Sequence, residues 1–110
     1  IAKDGRAIDD WSGEGVREDF RTTRHPRTVA AVDGGGRVWL LVIDGRRPGH
    51  SLGASFAALA SLARHLGLVD VVNLDGGGST TMVVRGRIVN RPSDLRGPRP
   101  VSDALVVLPR

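Results

Sequence analysis

Two apolar runs joined by a glycine-rich turn, in the stretch RTVAAVDGGGRVWLLVID, limit the possible folds of this chain more than any other feature. The first run covers Thr28–Val32 and the second covers Val38–Ile43. Apolar runs that a short glycine turn separates are typical of a β-hairpin. The second run is apolar on both faces, which is the pattern of a central strand. The stretch therefore predicts a hairpin whose second strand lies inside a sheet.

The sequence contains one clear helix signal, in SFAALASLARHLG. Ser55 suits the N-cap position, and Gly67 suits the position just past the C-terminal end. Between them, apolar residues recur at helical spacing and predict one stripe that faces a core: Phe56, Leu59, Ala63 and Leu66.

Further strand signals complete the predicted architecture. IAKDGRAI suggests a short hairpin around Asp4-Gly5, and residues 9–26 read as a loop. After the helix come the strand signals VDVVNLD, TTMVV, RIVN and VSDALVVLP. At 110 residues the chain can bury one core, so residues 1–110 are expected to form a single domain. We predict an α+β fold, a mixed β-sheet with one main helix packed on it, in the order β-β-α-β-β-β-β.

Composition excludes several classes of protein. The absence of cysteine excludes disulfides, thiolate metal sites and a cysteine nucleophile. The net charge of +4 comes from scattered arginines, and aromatic residues are few, so nucleic-acid binding is not expected. No segment is long enough to span a membrane, and no leader pattern is present. No cofactor or metal is predicted.

A second glycine cluster follows a strand signal, in NLDGGGST. Because side chains alternate along a strand, Asn73 and Asp75 fall on one face at its C-terminal end. Glycines allow backbone N–H groups to approach a ligand, and such groups can form an anion-binding nest. No lysine follows and no helix opens here, which excludes a P-loop and a dinucleotide fingerprint. The alternative interpretation is a hairpin loop with a solvated Asp75.

The first glycine cluster, residues 33–36, has a simpler interpretation. Arg37 follows at once and an apolar strand resumes. This context predicts an ordinary hairpin turn. Replacement of Asp33 is therefore expected to leave function nearly unchanged.

Polar residues also stand at other strand ends. Asp44 ends an apolar strand, Arg46 follows it, and Ser51 lies before the helix. A carboxylate beside arginines suits acid–base chemistry or phosphate binding. Polar residues at several strand ends are typical of an open-sheet active site, although loop composition alone gives the same pattern. The other residues of this kind are Arg27, Thr28 and Asn90.

These stretches together resemble the phosphodiester glycosidase family. The resemblance runs in order from Arg24 to Val107, through RHPRTVAAVD, VIDGRRPGHSLGASFAALA, NLDGGGSTTMVVRGRIVNRPSD and RPVSDALVV. The combination of NLDGGGS-T-M with V-N-x-P-S-D is specific, whereas DGGG alone is not, as its first copy shows. Asp103 stands where the family pattern has Asn, and no Asn-Gly-Gly-Phe-like stretch occurs in residues 1–26.

The resemblance implies a hydrolase that cleaves a sugar-1-phosphodiester and releases the sugar from a phosphorylated glycan, an exopolysaccharide or a cell-wall polymer. Asp75 is expected to act at the anomeric carbon or to activate water, with Asp44 as its partner or orienter. Because phosphate is a good leaving group, charge stabilisation matters more than general-acid help. The expected substrate-binding residues are Arg27, Thr28, Arg46, Ser51, Asn73, Gly76, Gly77, Gly78, Ser79 and Asn90.

The resemblance also sets expectations about the whole protein. It implies that the chain is the C-terminal portion of a phosphodiester glycosidase domain, with the N-terminal half of that domain as its partner. An extracellular or cell-envelope location is expected. The alternative function is a non-catalytic sugar-phosphate-binding module or an inactive fragment.

Overall fold

The computed structural model describes residues 1–110 and contains two sheets. All strand pairs of the main sheet are antiparallel, in the order β2-β1-β5-β3-β4. Its strands are β1 (Ala2–Lys3), β2 (Arg6–Ala7), β3 (Arg27–Asp33), β4 (Val38–Ile43) and β5 (Leu68–Asn73). The second sheet is a hairpin of β6 (Val83–Val84) and β7 (Arg87–Ile88). Helices α1 (Glu18–Thr22) and α2 (Phe56–His65) and a 3₁₀ turn at Gly77–Ser79 complete the structure.

The predicted hairpin forms, with Arg27 opposite Ile43 and Val32 opposite Val38. Its second strand, however, is the edge of the sheet, and β3 is the strand with neighbours on both sides. One face of β4 packs against the core through Trp39 and Leu41, whereas Val38 is 72% exposed. The prediction of a central strand was therefore wrong, because the apolar run reflects one packed face and one partly exposed apolar face.

Helix α2 covers one face of the sheet, as predicted. The Ser55 side chain accepts a hydrogen bond from the Ala58 amide, and Gly67 follows the helix with a φ of +71°. The helix buries Phe56, Leu59 and Ala63 against sheet residues that include Val29, Ala31, Leu68 and Val71. This arrangement confirms the α+β class.

The sheet is antiparallel where a mixed sheet was predicted, and the path of the chain explains the difference. Strands β4 and β5 are joined through α2, and both lie antiparallel to β3. They therefore run in the same direction, but β3 lies between them. The crossover consequently creates no pair of parallel neighbours.

Two predicted elements at the chain's ends need correction. Residues 9–26 are not all loop, because α1 forms there, with Glu18 and Asp19 in its first turn, where acidic residues suit the helix dipole. The predicted last strand, in VSDALVVLP, does not form, and residues 101–110 are exposed. A strand needs neighbouring backbone to satisfy its N–H and C=O groups, and this segment pairs with none.

The short hairpins form as predicted. The turn between β1 and β2 places Asp4 and Gly5 in the left-handed region, and that between β6 and β7 does the same with Arg85 and Gly86. The full order is thus β-β-α-β-β-α-β-β-β. It adds β1, β2 and α1 to the predicted order and lacks the predicted last strand. No helix has the length and apolar character that crossing a membrane requires.

The first DGGG is a turn, as predicted, but its carboxylate is buried. Asp33 Oδ1 accepts hydrogen bonds from the amides of Gly35 and Arg37, at 2.9 and 3.0 Å. Its Oδ2 accepts from Trp39 Nε1 at 3.0 Å and from Arg37 Nε at 2.7 Å. The Trp39 indole foremost, then the Arg37 amide, hold the pKa of Asp33 far below its ordinary value, against the opposing effect of burial.

We predict that Asp33→Asn lowers the melting temperature and removes part of the acid sensitivity of folding. A carboxyl with a lowered folded-state pKa stabilises the fold above its unfolded pKa, near 4. That contribution is lost as the pH falls from there through the folded-state pKa. Thermal melts between pH 2 and 7 measure both effects. The matched control is Asp103→Asn, at an exposed position without a bound partner; equal pH profiles for the two variants would contradict the prediction.

Candidate active site

Two glycine-containing loops pack directly onto the backbone of the buried Pro26. A Cβ atom on Gly45 would lie 2.7 Å from Pro26 N, and one on Gly76 would lie 2.8 Å from Pro26 O. The Gly77 amide donates a hydrogen bond to Pro26 O at 3.0 Å. The loop that follows β4 and the loop that follows β5 are thereby fixed at the start of β3.

A third loop closes on the preceding residue. His25 and Ala54 exchange backbone hydrogen bonds, of 3.3 and 2.9 Å. Gly53 has a φ of +96°, and a Cβ there would overlap the His25 backbone. The segment that leads into α2 therefore meets the other two loops at one place.

The Asp44 carboxylate connects several of these segments. Its Oδ1 accepts hydrogen bonds from Asn90 Nδ2 at 3.0 Å and from the Arg91 amide at 2.9 Å. Its Oδ2 accepts from His50 Nε2 at 2.8 Å, and its backbone carbonyl accepts from Ser51 Oγ at 2.6 Å. Burial acts to raise the pKa of Asp44, but the bonds from His50, Asn90 and Arg91 outweigh it and lower that pKa.

Asn90 extends this network to β3. Its Nδ2 also donates to Thr80 O at 3.0 Å, and its Oδ1 accepts from the Met82 amide at 2.8 Å. The Thr28 hydroxyl donates to the buried Thr80 hydroxyl at 3.3 Å. Four of the predicted site residues are thus joined in one hydrogen-bonded chain: Thr28, Asn90, Asp44 and Ser51.

The glycine turn after β5 uses much of its own backbone internally. The amide of Ser79 donates to Gly76 O, and that of Thr80 donates to Gly77 O. Together with the Gly77 bond to Pro26, these contacts leave the predicted anion nest fewer free donors. Gly78 is buried, and its Cα faces the ion pair of Asp94 and Arg99.

Arg46 brings a positive charge to this turn. A Cβ on Gly77 would lie 3.3 Å from Arg46 Nη2. Arg46 Nη2 also donates to His25 Nδ1 at 3.2 Å, and it forms no ion pair with a carboxylate. Burial first, and then the charges of Arg27 and Arg46, lower the pKa of His25. An exposed guanidinium without a counter-charge therefore stands beside the glycine turn.

The Arg27 side chain is fully buried, and this position blocks the direct substrate contact that was predicted for it. Its Nε donates to Ala54 O at 2.8 Å, and its Nη2 donates to Phe20 O and Thr23 O. Its guanidinium carbon lies 4.6 Å from the Phe20 ring centroid and 4.8 Å from that of Phe56. Arg27 thus anchors α1 and residue 54, in contrast to the predicted contact with a phosphodiester.

Asp75 and Asn73 are not part of the hydrogen-bond network around Asp44. The Asp75 side chain is exposed and makes no hydrogen bond. Asn73 Nδ2 donates to Leu74 O at 3.0 Å, whereas its Oδ1 is buried without a partner. No hydrogen bond joins Asp75 to Asp44, so the structure holds the two carboxylates in separate surroundings.

Several contacts in this region were not predicted. His50 and Arg91 both bind Asp44, and Thr80 links Asn90 to Thr28. Each of the three is next to a predicted residue in the sequence: His50 precedes Ser51, Thr80 follows Ser79 and Arg91 follows Asn90. This position beside a predicted residue was the only signal that the sequence offered. The structure contains no group of three or more His, Asp or Glu side chains that could hold a metal ion.

Comparison with known proteins identifies relatives over most of this chain. The family model described as phosphodiester glycosidase matches residues 1–108. The N-acetylglucosamine-1-phosphodiester alpha-N-acetylglucosaminidase of Mus musculus is 31% identical over 105 residues, and that of Bos taurus is 34% identical over 87. These alignments cover 90% and 74% of this chain but 20% and 16% of the relatives. The chain thus spans a fifth or less of the length of these curated relatives.

Solved structures share the fold. A Burkholderia pseudomallei protein, named as a candidate exported protein, is 48% identical with a TM-score of 0.75, over 78% of this chain and 16% of its own. The catalytic domain of the zebrafish N-acetylglucosamine-1-phosphodiester alpha-N-acetylglucosaminidase, auto-inhibited by its pro-peptide, also gives a TM-score of 0.75. That match has 24% identity and covers 91% of this chain and 37% of the other, so it demonstrates similarity of fold alone.

We predict that Gly45→Ala lowers the free energy of unfolding by about 1–3 kcal/mol, because the added methyl group meets backbone that cannot move aside. Gly34→Ala is the matched control, since neither glycine has a positive φ and a Cβ on Gly34 meets nothing within 4 Å. Its effect should stay within about 0.5 kcal/mol. Urea denaturation measures both values, and equal stability of the two variants would contradict close packing at Pro26.

Proposed function

The chain belongs to the phosphodiester glycosidase family, and we accordingly propose that it takes part in hydrolysis of a sugar-1-phosphodiester. The proposed substrate is of the N-acetylglucosamine-1-phosphodiester type, carried on a glycan or cell-wall polymer, and the sugar is released. The names of the Mus musculus and Bos taurus relatives support this substrate class. We further propose that residues 1–110 are the C-terminal portion of such a domain.

The contrast between two carboxylates carries the proposal. Asp44 accepts three hydrogen bonds to its carboxylate oxygens, so it stays ionised and holds its partners in place. Asp75 has no such bond and faces solvent. A carboxylate without competing donors is free to act on a substrate. We assign Asp75 the reaction at the anomeric carbon or the activation of water, and Asp44 the role of an orienting residue.

Arg46 provides the positive charge that a phosphodiester requires. Its guanidinium lies beside Gly77 and lacks a carboxylate partner. A guanidinium binds phosphate oxygens through charge-assisted hydrogen bonds and stabilises the charge that develops on the leaving phosphate. Arg27 is a buried positioning residue, since it binds Ala54 O and thereby fixes the backbone around His25.

The proposed function also leads to proposals about where the protein is located and which protein segment is its partner. A polymeric glycan substrate lies outside the cytoplasm, so we propose an extracellular or cell-envelope location. The name of the Burkholderia pseudomallei protein agrees with export. The N-terminal half of the domain is the proposed partner of this chain.

We predict that Asp75→Asn reduces kcat by roughly 10²-fold or more, because the amide cannot act as a base or stabilise positive charge. The measurement is release of N-acetylglucosamine from its 1-phosphate methyl diester. Asp103→Asn is the control, since Asp103 is exposed and unbonded. Wild-type turnover by Asp75→Asn would remove Asp75 from its role.

We predict that Arg46→Gln weakens binding of the same diester by roughly 10- to 100-fold, the equivalent of one charged hydrogen bond. Arg85→Gln is a matched control, because both arginines are exposed and have a positive φ, of 54° and 51°. Isothermal titration calorimetry at several salt concentrations measures the loss. An unchanged Kd for Arg46→Gln would contradict the phosphate contact.

The same titration, combined with the release assay, distinguishes the hydrolase from the alternative function. Binding of the diester without release of sugar supports a sugar-phosphate-binding module. Turnover by the 110-residue chain supports the hydrolase.

A further inference from the structure

One contact of the site has no part in the roles assigned so far, namely the hydrogen bond between Asp44 and His50. We propose that His50 is a catalytic residue of this site, the general base that takes a proton from the attacking water, with Asp44 as its orienting carboxylate. This inference rests on the proposed hydrolysis and adds to it the group that activates water.

The hydrogen bonds of His50 define its tautomer. Asp44 Oδ2, 2.8 Å from Nε2, is a carboxylate oxygen and can only accept, so Nε2 carries the hydrogen. On the other side Arg91 Nη1 lies 3.4 Å from Nδ1, and a guanidinium can only donate. In the neutral ring, the lone pair is therefore on Nδ1, the nitrogen that faces away from Asp44. A carboxylate, an imidazole and an outward lone pair are the parts of a general base.

The surroundings of Nδ1 allow access by water. The His50 side chain is 36% exposed, whereas that of Asp44 is 14% exposed. The charged groups that face the ring are Asp44 and Arg91, and Arg91 is itself exposed. At 3.4 Å the Arg91 contact is long for a hydrogen bond. An anionic phosphodiester would compete for this guanidinium and leave Nδ1 free.

The loop around His50 does not need the side-chain bond for its shape. The Arg47 amide donates to Ser51 O, and the amides of His50 and Ser51 donate to Arg47 O, all within 3.0 Å. Ser51 Oγ closes the loop onto Asp44 O. Asp44 Oδ1 is already held by Asn90 and Arg91. The hydrogen bond from the imidazole to Asp44 is thus not needed to close the loop, because backbone bonds already close it. This favours a role for His50 in the reaction over a role in the fold.

The step is balanced as a hydrolysis. The water oxygen forms a bond to the anomeric carbon while the bond from that carbon to the phosphate oxygen breaks. The electron pair of the broken bond leaves on the phosphate monoester, and the proton of water passes to His50 Nδ1 and then to solvent. Asp75 faces the positive charge that develops at the anomeric carbon. Arg46 binds the departing phosphate.

Proximity to the other residues follows from the hydrogen-bond network. His50 binds Asp44, Asp44 binds Asn90, and Asn90 binds Thr80 at the end of the glycine turn. Arg46, two residues after Asp44, contacts Gly77 of the same turn. The proposed base is therefore tied through two side chains to the turn that follows Asp75.

The test compares His50→Gln with wild type, using the N-acetylglucosamine-1-phosphate methyl diester. The glutamine amide can donate to Asp44 as Nε2 does, but it cannot take up a proton. We expect kcat to fall roughly 10²- to 10⁴-fold with an unchanged Kd. The decline of kcat/KM toward acid pH should also disappear in the variant. His65→Gln, at the exposed end of α2, is the control and should match wild type.

Three results of the kinetic and binding measurements would overturn the inference. If His50→Gln keeps the wild-type kcat and pH profile, His50 is not the base although hydrolysis stands. If its Kd rises while kcat stays constant, His50 is a binding residue. If wild type, assayed together with the N-terminal half of the domain, binds the diester without turnover, the proposed hydrolysis fails and the base fails with it. Independently of activity, ¹⁵N NMR of the neutral His50 ring must show the proton on Nε2, and a proton on Nδ1 contradicts the proposal.

Discussion

Close backbone contact at His25 and Pro26 is the constraint on which the rest of the site depends. Gly45, Gly53 and Gly76 each approach this dipeptide so closely that a Cβ would lie under 3.0 Å from its backbone atoms. Three loops from different parts of the sequence are thereby brought to the start of β3. Arg27, next in the chain, secures the arrangement from inside, because it donates to the carbonyls of Phe20, Thr23 and Ala54. Loops fixed in this way can hold catalytic side chains without being flexible.

The elements that could be predicted are those with local causes. The β3–β4 hairpin and α2 have their own turn residues, caps and apolar periodicity, so they form where the sequence indicates. The position of β4 at the edge, the wholly antiparallel sheet and the unpaired segment at residues 101–110 depend on which strand lies beside which. Helix α1 depends on the later residue Arg27, whose guanidinium binds its last turn. No signal within a single segment contains that information.

In the candidate site too, features with local causes could be predicted and features that depend on tertiary contacts could not. Positions at strand ends indicated Asp44, Asn90 and Thr28, and the position before the helix indicated Ser51. The structure joins these four through hydrogen bonds. The sequence could not show that Thr80 and His50 complete the network. Thr80 meets Thr28 across 52 residues, and His50 meets Asp44 only because the loop between them folds back on itself. Arg27 illustrates the opposite error. An arginine at a strand end suits phosphate, but two phenylalanine rings from separate helices enclose its guanidinium.

The two DGGG sequences show why identical letters lead to different chemistry. At the first, the donors to Asp33 come from Gly35, Arg37 and Trp39 of the same hairpin, so the carboxylate is neutralised by its own turn. At the second, the amides of Gly77, Ser79 and Thr80 bind Pro26 O and the carbonyls of Gly76 and Gly77. None of the turn's amides donates to Asp75. The second turn is packed against Pro26 through Gly76 and Gly77, and its carboxylate is exposed to solvent without a hydrogen-bond partner.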